Sequence, residues 1–491
     1  MHRPGRGASG RARNLVPGIL ARMALPRTSA SAFVARRRAL LDRFSSPALL
    51  AAGLPQARNY RANTHPFRAA SHFLYFVGAS IPGAAILFAE GKVTLFVEPP
   101  DPADALWHGP RPTLAEVQER HAVDAVLPLD AIGDALGRAR ALGPVATLPT
   151  NEASSAAWLS QHLGRPVAPC RGDALEPGSP DASLAEAMIA LRLRHDEAAV
   201  AQLRAAAEGS AAAHLAGMRA SVKASSETEV AAAMIGELRR RGLGDAYGPI
   251  VTIHGEVLHQ EHQRNAVHPG DLLLADVGGE TPEGWAADIT RTWPISGVFS
   301  PTQRAIYEVV LAANKAAIAG ARKGARYRAL HEVAGRTLVE GLRALGIFRG
   351  EVDGLVERNA AALFFPHGVG HLIGLDVHDM EDLGDRAGYA PGRVRSSRFG
   401  ERYLRLDRDL EPGMAVTIEP GFYQVPAILA DEGLTGPLGA DLDRTALARF
   451  SDVRGIRVED DVLITEADPE VLTAAVPKEV AAVEGWMREA V

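Results

Sequence analysis

Short apolar runs separated by turn residues fill the first part of the chain, and longer helical patterns follow. The runs typical of strands are AAILFAE (residues 84–90), KVTLFVEP (92–99) and VDAVLPL (123–129). Residues 195–218 are rich in alanine and predict a long helix, and residues 225–242 predict another. In this second helix, Ser226 and Glu229 form a capping-box pattern at the start, and Gly242 marks the end.

A turn-rich break, LEPGSPDAS at residues 175–183, is the best candidate for a domain boundary. Further helical patterns occupy residues 302–319, 327–345 and 351–363. Helices mixed with non-alternating apolar strands after the break predict an α+β domain with a covered sheet. The predicted division is therefore a domain at residues 46–183, ending in the linker, and a domain at residues 184–491.

Residues 1–45 are predicted to lie outside these domains. Arginine is frequent as far as Arg38, and no acidic residue occurs before Asp42. An arginine-rich, acid-poor start resembles a transit peptide, so organellar targeting stays open. We expect instead a disordered leader, or a start codon upstream of the true beginning at Met23.

The composition is that of an ordinary globular enzyme. The chain has 491 residues, of which 47% are hydrophobic and 23% charged. Its net charge of −6 gives no support to nucleic-acid binding. Cys170 is the only cysteine, which excludes an intrachain disulfide and a cysteine-based zinc site. Because no apolar stretch of about 18 residues occurs, we expect no membrane span and a cytoplasmic protein.

Four carboxylates and one imidazole lie inside or beside apolar runs that otherwise predict buried strands. They are Asp276 in LLLADVGG, Asp288 in WAADITRTWP, His371 in HGVGHLIG, Glu419 in TIEPG and Glu459 in GIRVEDDV. Burying an ionised carboxylate is unfavourable unless a counter-charge meets it, and four are hard to explain without a cation. Oxygen-rich ligation with one imidazole suits Mn²⁺, with Co²⁺ or Zn²⁺ as substitutes. Four carboxylates carry more charge than one dication neutralises, so we predict two metal ions sharing bridging oxygens.

Six blocks resemble those of a known enzyme family, in the same order. They are YGPIVTIHGEVLH, DLLLADVGGE, GWAADITRTWPISGVFS, PHGVGHLIGLDVHD, LEPGMAVTIEPGFY and GIRVEDDVLIT. Together they resemble the pita-bread metallopeptidases of the Xaa-Pro branch, namely aminopeptidase P and prolidase. The blocks NTHPFRAASHFLYFVG and ALWHGPRP resemble the domain that precedes catalysis in both enzymes. Methionine aminopeptidases share the fold but generally lack that domain.

The resemblance implies an α+β pita-bread catalytic domain of the creatinase/aminopeptidase type, preceded by a smaller α/β domain of the aminopeptidase P type. It implies that Asp276 and Asp288 bind on one side, that His371 and Glu419 complete the other shell, and that Asp288 and Glu459 bridge two divalent ions. Glu419 would also accept a proton from the attacking water and carry it toward the leaving proline nitrogen. The expected substrates are proline-containing peptides, and the expected assembly is a dimer or tetramer.

Three histidines and one arginine complete the site that the resemblance implies. His259 resembles a residue that stabilises the tetrahedral intermediate or holds substrate, and His378 resembles one beside the substrate's proline. His367 resembles a supporting group close to the ligand His371. Arg457 resembles an arginine that orients the active-site carboxylates. From the residues alone, each histidine would be interpreted as a satisfied core or surface side chain.

Arg405 and two long segments bear on the choice between the two activities. Arg405 in YLRLDRDLEPG resembles a prolidase arginine that clamps the free carboxylate of a dipeptide, a task suited to a guanidinium. Residues 380–402 and 424–452 separate blocks that sit closer in typical aminopeptidase P, and prolidases carry insertions at similar places. These features favour Xaa-Pro dipeptidase activity, with Xaa-Pro aminopeptidase activity on longer peptides as the alternative. In the absence of other evidence, both segments are interpreted as surface loops.

Two further hypotheses concern the same fold. A catalytically inactive binding module would show eroded ligands, whereas all five candidate ligands are present. Creatinase-like chemistry does without the metals, so the complete ligand set opposes it. The sequence leaves open the native metal, the preferred N-terminal residue and the oligomeric state.

Overall fold

The computed structural model describes residues 24–150, 152–167, 172–260 and 262–489. They form a smaller N-terminal unit and a larger C-terminal unit with an α+β architecture. Cys170 and the first 23 residues of the predicted leader lie outside the described residues. Within the described residues, no helix is long and apolar enough to cross a membrane.

The N-terminal unit is a four-stranded sheet with helices on both faces. Its strands are β1 (Ala48–Ala51), β2 (Ala85–Ala89), β3 (Lys92–Val97) and β4 (Ala125–Pro128). Its helices are α1 (Ala30–Arg43), α2 (Ser71–Val77), α3 (Ala105–His108), α4 (Leu114–His121), α5 (Ile132–Arg140) and α6 (Ala153–Leu163). The strands lie in the order β1-β2-β3-β4, and only β3 and β4 are parallel. Adjacent residues of β1 point to opposite faces of the sheet. Leu50 packs in the hydrophobic cluster that includes α2, whereas Leu49 packs in the cluster that includes α5 and α6.

The prediction of a disordered leader at residues 1–45 is wrong for residues 30–43, which form the helix α1. The alternative of a true beginning at Met23 stays a prediction. Ser29 caps α1, and two arginines of this helix are buried. Arg36 donates to both carboxylate oxygens of Asp196, at 2.7 and 2.8 Å. Arg37 donates to the carbonyl oxygens of Phe76, His121 and Ala122. These guanidinium groups are satisfied hydrogen-bond donors in the core, which composition alone does not distinguish from solvated charges.

The predicted linker is shorter than residues 175–183, because a helix already begins within it. Ser179 caps α7 (Pro180–Arg192), whose proline occupies the first helical turn. The last residue of α7, Arg192, is buried and donates to His72 of the N-terminal unit and Asp379 of the C-terminal unit, at 2.9 and 2.6 Å. The two units are therefore joined through buried charged groups.

The C-terminal unit combines long helices with short buried strands. Its helices after α7 are α8 (Glu197–Ser221), α9 (Glu227–Arg240), α10 (Pro301–Gly320), α11 (Tyr327–Ala344), α12 (Val352–Glu357), α13 (Asp385–Gly388), α14 (Pro426–Ala430), α15 (Glu432–Thr435), α16 (Arg444–Ala448) and α17 (Val480–Arg488). Its strands are β5 (Gly244–Asp245), β6 (Ile250–Thr252), β7 (Leu272–Asp276), β8 (Gly279–Glu280), β9 (Thr290–Pro294), β10 (Ala415–Ile418), β11 (Gly421–Tyr423), β12 (Gly455–Arg457), β13 (Asp460–Leu463) and β14 (Glu470–Val471).

The helix predicted at residues 351–363 is interrupted. It begins as α12 and resumes as a 3₁₀ turn at Ala360–Leu363. Between them Asn359 adopts a left-handed conformation with φ of 65°, which ends the α-helical hydrogen bonding. The other four predicted helices of this unit correspond to α8, α9, α10 and α11.

The strand pairs bring distant parts of the chain to one place. β7 pairs with β9 so that Asp276 lies opposite Thr290, and Asp288 lies just before β9. β10 pairs with β13, and Glu419 and Glu459 flank this pair. The backbone N–H of Glu459 donates to the carbonyl of Thr290 at 3.0 Å, which ties the two sets of strands together. All five candidate ligands are thus carried by strand ends and one loop.

A buried ion pair fixes this junction and gives a stability prediction. Arg291 and Asp460 are fully buried and lie 2.7 Å apart, and Arg291 also donates to the backbone carbonyl of Glu459. We expect Arg291→Met to lower the free energy of unfolding by about 3–5 kcal/mol, because it leaves a buried carboxylate short of a partner. Urea unfolding measures the change. The matched control is Arg322→Met, whose partner Asp468 is exposed and for which about 0–1 kcal/mol is expected; equal losses in both variants would contradict the prediction.

Candidate metal centre and active site

Asp288, His371 and Glu459 form the centre of the candidate site. All three are buried, and one ligand atom from each lies within 4.8 Å of the others. His371 Nε2 is 3.5 Å from Asp288 Oδ2. The His371 Nδ1–H donates to the carbonyl of Leu372 at 2.9 Å, so Nε2 faces the carboxylates.

Asp276 lies on one side of this trio. The Tyr247 hydroxyl is 2.6 Å from both Asp276 Oδ1 and Asp288 Oδ1. The other oxygen of Asp276 accepts from Arg457 Nη2 at 2.5 Å. Thr290 Oγ1 donates to Glu459 at 2.6 Å and accepts from Arg457 Nε at 2.8 Å. Arg457 thus holds one carboxylate directly and another through a threonine.

Glu419 lies beside two histidines, His371 and His367. Its Oε1 is 3.7 Å from His371 Nε2, and its Oε2 is 3.8 Å from His367 Nδ1. His367 Nδ1–H donates to the carbonyl of Gly368 at 2.8 Å, and its Nε2 accepts from the Tyr423 hydroxyl at 2.9 Å. The same hydroxyl accepts from Arg457 at 3.1 Å. His367 is therefore positioned through Tyr423 and supports Glu419.

The electrostatics of the carboxylates are unfavourable without a cation. Burial raises the pKa of Asp276 to about 6 and that of Glu419 to about 7. Burial and repulsion from Asp288 raise the pKa of Glu459 well above its usual range. Burial lowers the pKa of His371, but its hydrogen bond to Asp288 and the charge of Glu419 outweigh this and raise it to about 9. A protonated imidazole thus supplies positive charge among the carboxylates.

This donor set fits divalent metal ions. Four carboxylates and one imidazole Nε2 converge without any thiol, which suits hard or borderline cations. Divalent cations would offset the burial and the repulsion that raise the pKa values of Asp276, Glu419 and Glu459. The fit rests on the cluster of Asp288, His371 and Glu459, with Asp276 and Glu419 lining the same cavity.

The candidate ligands open onto a cavity of about 410 Å³. Its wall includes His259, His378 and Arg405, the remaining residues that the sequence singled out. The ring of His378 lies 4.3 Å from that of His371, edge to face. Burial and the charge of His371 lower the pKa of His378 to about 2, so His378 is neutral at physiological pH. All ten predicted site residues therefore reach one cavity.

The two long segments contribute to this cavity in part. Phe399 from residues 380–402 and Ile428 of α14 line it. Residues 424–452 otherwise fold into the short helices α14, α15 and α16. Arg405, which follows the first segment, forms an ion pair with Glu381 at 2.5 Å, and its side chain is 40% exposed.

Several site residues carry no clear signal in the sequence. Tyr247 begins the block YGPIVTIHGEVLH and Tyr423 ends the block LEPGMAVTIEPGFY, but neither was singled out as a site residue. Neither belongs to a periodic pattern, and their roles depend on hydroxyls that reach residues far along the chain. Thr290 is the exception, because it stands two residues after Asp288, and such spacing places side chains on one face of an extended segment.

The chain is similar to known proteins over nearly its whole length. Residues 201–466 match the family described as metallopeptidase family M24, and residues 33–143 match the aminopeptidase P N-terminal domain. A probable Xaa-Pro aminopeptidase of Penicillium rubens is 33% identical over 441 residues, covering 85% of this chain and 88% of that protein. The structure of Pseudomonas aeruginosa aminopeptidase PepP superposes with a TM-score of 0.77 and 32% identity, covering 94% and 99% of the two chains. Escherichia coli aminopeptidase P with the inhibitor Pro-Leu gives a TM-score of 0.76 and 30% identity, covering 95% and 99%.

Proposed function

The chain belongs to metallopeptidase family M24, and we propose that it is an Xaa-Pro aminopeptidase, which releases the N-terminal residue from peptides with proline at the second position. It has the aminopeptidase P N-terminal domain and the M24 catalytic domain. The observation that carries the proposal is the convergence of four carboxylates and an imidazole beneath a peptide-sized cavity. The preference for prolidase is not supported, because the relatives are named Xaa-Pro aminopeptidase and the structural neighbours are aminopeptidase P.

We propose that the five predicted ligands hold two divalent ions, with Mn²⁺ as the first candidate. Asp276 and Asp288 would hold one ion, His371 and Glu419 would hold the other, and Asp288 and Glu459 would bridge. When bound, the ions would polarise the scissile carbonyl and lower the pKa of the attacking water.

The protein's own side chains move and hold protons around this centre. Glu419 is a carboxylate on the cavity wall beside His371 and His367, where it is positioned to accept a proton from water and return it to the leaving proline nitrogen. That return matters because the nitrogen of a tertiary amide leaves poorly until it is protonated. Neutral His378 can donate or accept a hydrogen bond in the cavity, and His259 lies on the same wall. Arg457 orients Asp276 and, through Thr290, Glu459.

The proposal is tested with Mn²⁺-loaded protein on Ala-Pro-Ala and Ala-Pro, with Glu419→Gln as the negative control. Release of alanine from the tripeptide with higher kcat/KM than from the dipeptide is expected. Tight Mn²⁺ binding without cleavage of either peptide would overturn the peptidase proposal and favour a binding module on this fold.

Xaa-Pro dipeptidase activity is the second candidate, and one observation favours it. Arg405 lines the cavity and its guanidinium is partly exposed, so it can contact the carboxylate of a bound dipeptide. Higher kcat/KM on the dipeptide than on the tripeptide would identify this activity.

Tyr247 gives a prediction about metal affinity. Its hydroxyl is hydrogen-bonded to both Asp276 and Asp288, which it orients. We expect Tyr247→Phe to weaken Mn²⁺ binding by about 10- to 100-fold, as loss of a supporting hydrogen bond does at other metal sites. Calorimetric titration of EDTA-treated protein measures this, with Tyr60→Phe, an exposed tyrosine, as the control. Equal affinities in the two variants would refute the role.

A further inference from the structure

We propose that Glu381 is a specificity-determining residue: its carboxylate occupies Arg405 and thereby disfavours substrates whose own carboxylate directly follows proline. This inference rests on the proposed Xaa-Pro peptidase function and explains how a cavity containing an arginine can prefer longer peptides. Glu381 was not among the residues that the sequence pointed to.

Only the side chain of His378 separates Glu381 from the candidate ligand His371. Its Oε2 is 2.5 Å from Arg405 Nη1 and 3.5 Å from His378 Nδ1. The ring of His378 in turn packs against the candidate ligand His371, with centroids 4.3 Å apart. The negative charge of Glu381 therefore lies against Arg405 and close to His378, two residues of the cavity wall.

The segment that carries Glu381 is fixed from both sides. Asp379 accepts from the buried Arg192 at 2.6 Å, and Asp382 lies 3.1 Å from His72 of the N-terminal unit. Glu381 begins a 3₁₀ turn between these two anchored residues. Its position is therefore set by the tertiary structure, so that the pair with Arg405 is preorganised.

The carboxylate of Glu381 can accept a hydrogen bond that the described residues do not supply. Its Oε1 is buried and has no hydrogen-bond partner among the described residues. A second cavity of about 200 Å³, lined by Glu381, shares Tyr403 and Arg405 with the wall of the first. Arg405 thus stands between the two cavities, with Glu381 on one side and the substrate space on the other.

Substrate chemistry determines which peptide this arrangement disfavours. The proline of an Xaa-Pro dipeptide carries a carboxylate, which would be attracted by Arg405 but must compete with Glu381 and is repelled by it. The proline of a longer peptide is followed by a neutral amide, which has no such competitor. Glu381 therefore acts against dipeptides by charge repulsion as well as by occupying the guanidinium.

The test compares kcat/KM for Ala-Pro and Ala-Pro-Ala in Mn²⁺-loaded wild type, Glu381→Gln, Arg405→Met and the double variant. We expect Glu381→Gln to raise the dipeptide-to-tripeptide ratio by about tenfold, as removal of one nearby charge predicts, mainly through a lower KM for the dipeptide. Arg405→Met should lower the ratio, and the double variant should lose the gain of Glu381→Gln. A ratio unchanged within twofold in Glu381→Gln, or a gain that persists in the double variant, would overturn the proposal.

Two further measurements separate this role from a structural one. Inhibition of tripeptide cleavage by proline, but not by prolinamide, which lacks the carboxylate, should strengthen in Glu381→Gln. The matched control is Glu401→Gln, which removes a carboxylate paired with Arg328 and Arg398 outside both cavities, and which should leave the ratio unchanged. If wild-type protein cleaves neither peptide, the proposed function fails together with this inference. If it cleaves the tripeptide and the ratios do not respond to Glu381, only this inference fails.

Discussion

Replacing Glu419 by glutamine is expected to lower kcat on Ala-Pro-Ala by about 10²- to 10⁴-fold, the range over which a positioned general base or acid acts. This carboxyl lines the cavity beside His371 and His367, where it can accept a proton from water and return it to the leaving nitrogen. Glutamine keeps the shape and the carbonyl oxygen but accepts no proton. The loss is expected in kcat rather than in KM, because the proton transfers belong to the chemical step.

Glu419 is also a candidate metal ligand, so the measurement must separate two causes of lost activity. Its Oε1 lies 3.7 Å from His371 Nε2, on the outer side of the central trio. Metal content of Glu419→Gln should be determined on the same sample that is assayed. A variant that holds as much Mn²⁺ as wild type and yet is inactive supports proton transfer by Glu419. A fully loaded variant with more than about a tenth of wild-type kcat would refute that role.

The candidate ligands could be predicted from the sequence because burying charge is unfavourable wherever the chain folds. Asp276, Asp288 and Glu459 were recognisable as acids in apolar strands, and the structure places one ligand atom from each of Asp288, His371 and Glu459 within 4.8 Å of the others. Strand signals at residues 84–90 and 92–99 correspond to β2 and β3 for the same local reason. Local pattern suffices where a residue's environment is set by its own neighbours.

Other contacts could not be predicted from the sequence, because they involve partners that are distant along the chain. Arg36 was read as part of a disordered leader, yet it pairs with Asp196, 160 residues further along the chain. Tyr247 joins two carboxylates that come to it only through pairing of β7 and β9. The resemblance predicts that Arg405 clamps a dipeptide carboxylate, but Glu381 of the protein itself lies against it. No periodicity or composition encodes such partners, so they could be known only from the folded structure.

Metal-free protein is expected to lose stability between pH 7 and pH 8.5, and Mn²⁺ is expected to reverse this trend. In the folded protein Asp288 and Glu419 raise the pKa of His371 to about 9, against its value of 6.5 in an unfolded chain. Burial raises the pKa of Glu459 and Asp461 well above their usual range. In this pH window the folded state therefore holds protons that the unfolded state has released.

The sign follows from linkage. A group whose pKa is raised on folding contributes stability that is complete below its unfolded pKa and is lost as pH rises toward its folded pKa. Each extra proton held by the folded state lowers the free energy of unfolding by about 1.4 kcal/mol per pH unit, or about 2 kcal/mol over this window. Burial lowers the pKa of His367 to about 3 and that of His378 to about 2. These two groups make the free energy of unfolding rise with pH, but only below about pH 6.5, where the unfolded chain binds their protons.

Mn²⁺ changes the trend because metal ligands must be deprotonated to bind. The ion therefore competes with the protons on His371, Glu419 and Glu459, and its affinity rises over the same window. Urea unfolding of EDTA-treated protein at pH 7 and pH 8.5, with and without Mn²⁺, measures both effects. Glu459→Gln is the matched control, in which the metal-free slope should be shallower and the stabilisation by Mn²⁺ smaller. A metal-free protein that gains stability with pH, or stabilisation by Mn²⁺ that shrinks from pH 7 to pH 8.5, would contradict the assignment of these side chains as ligands, since a cation bound elsewhere would not compete with their protons.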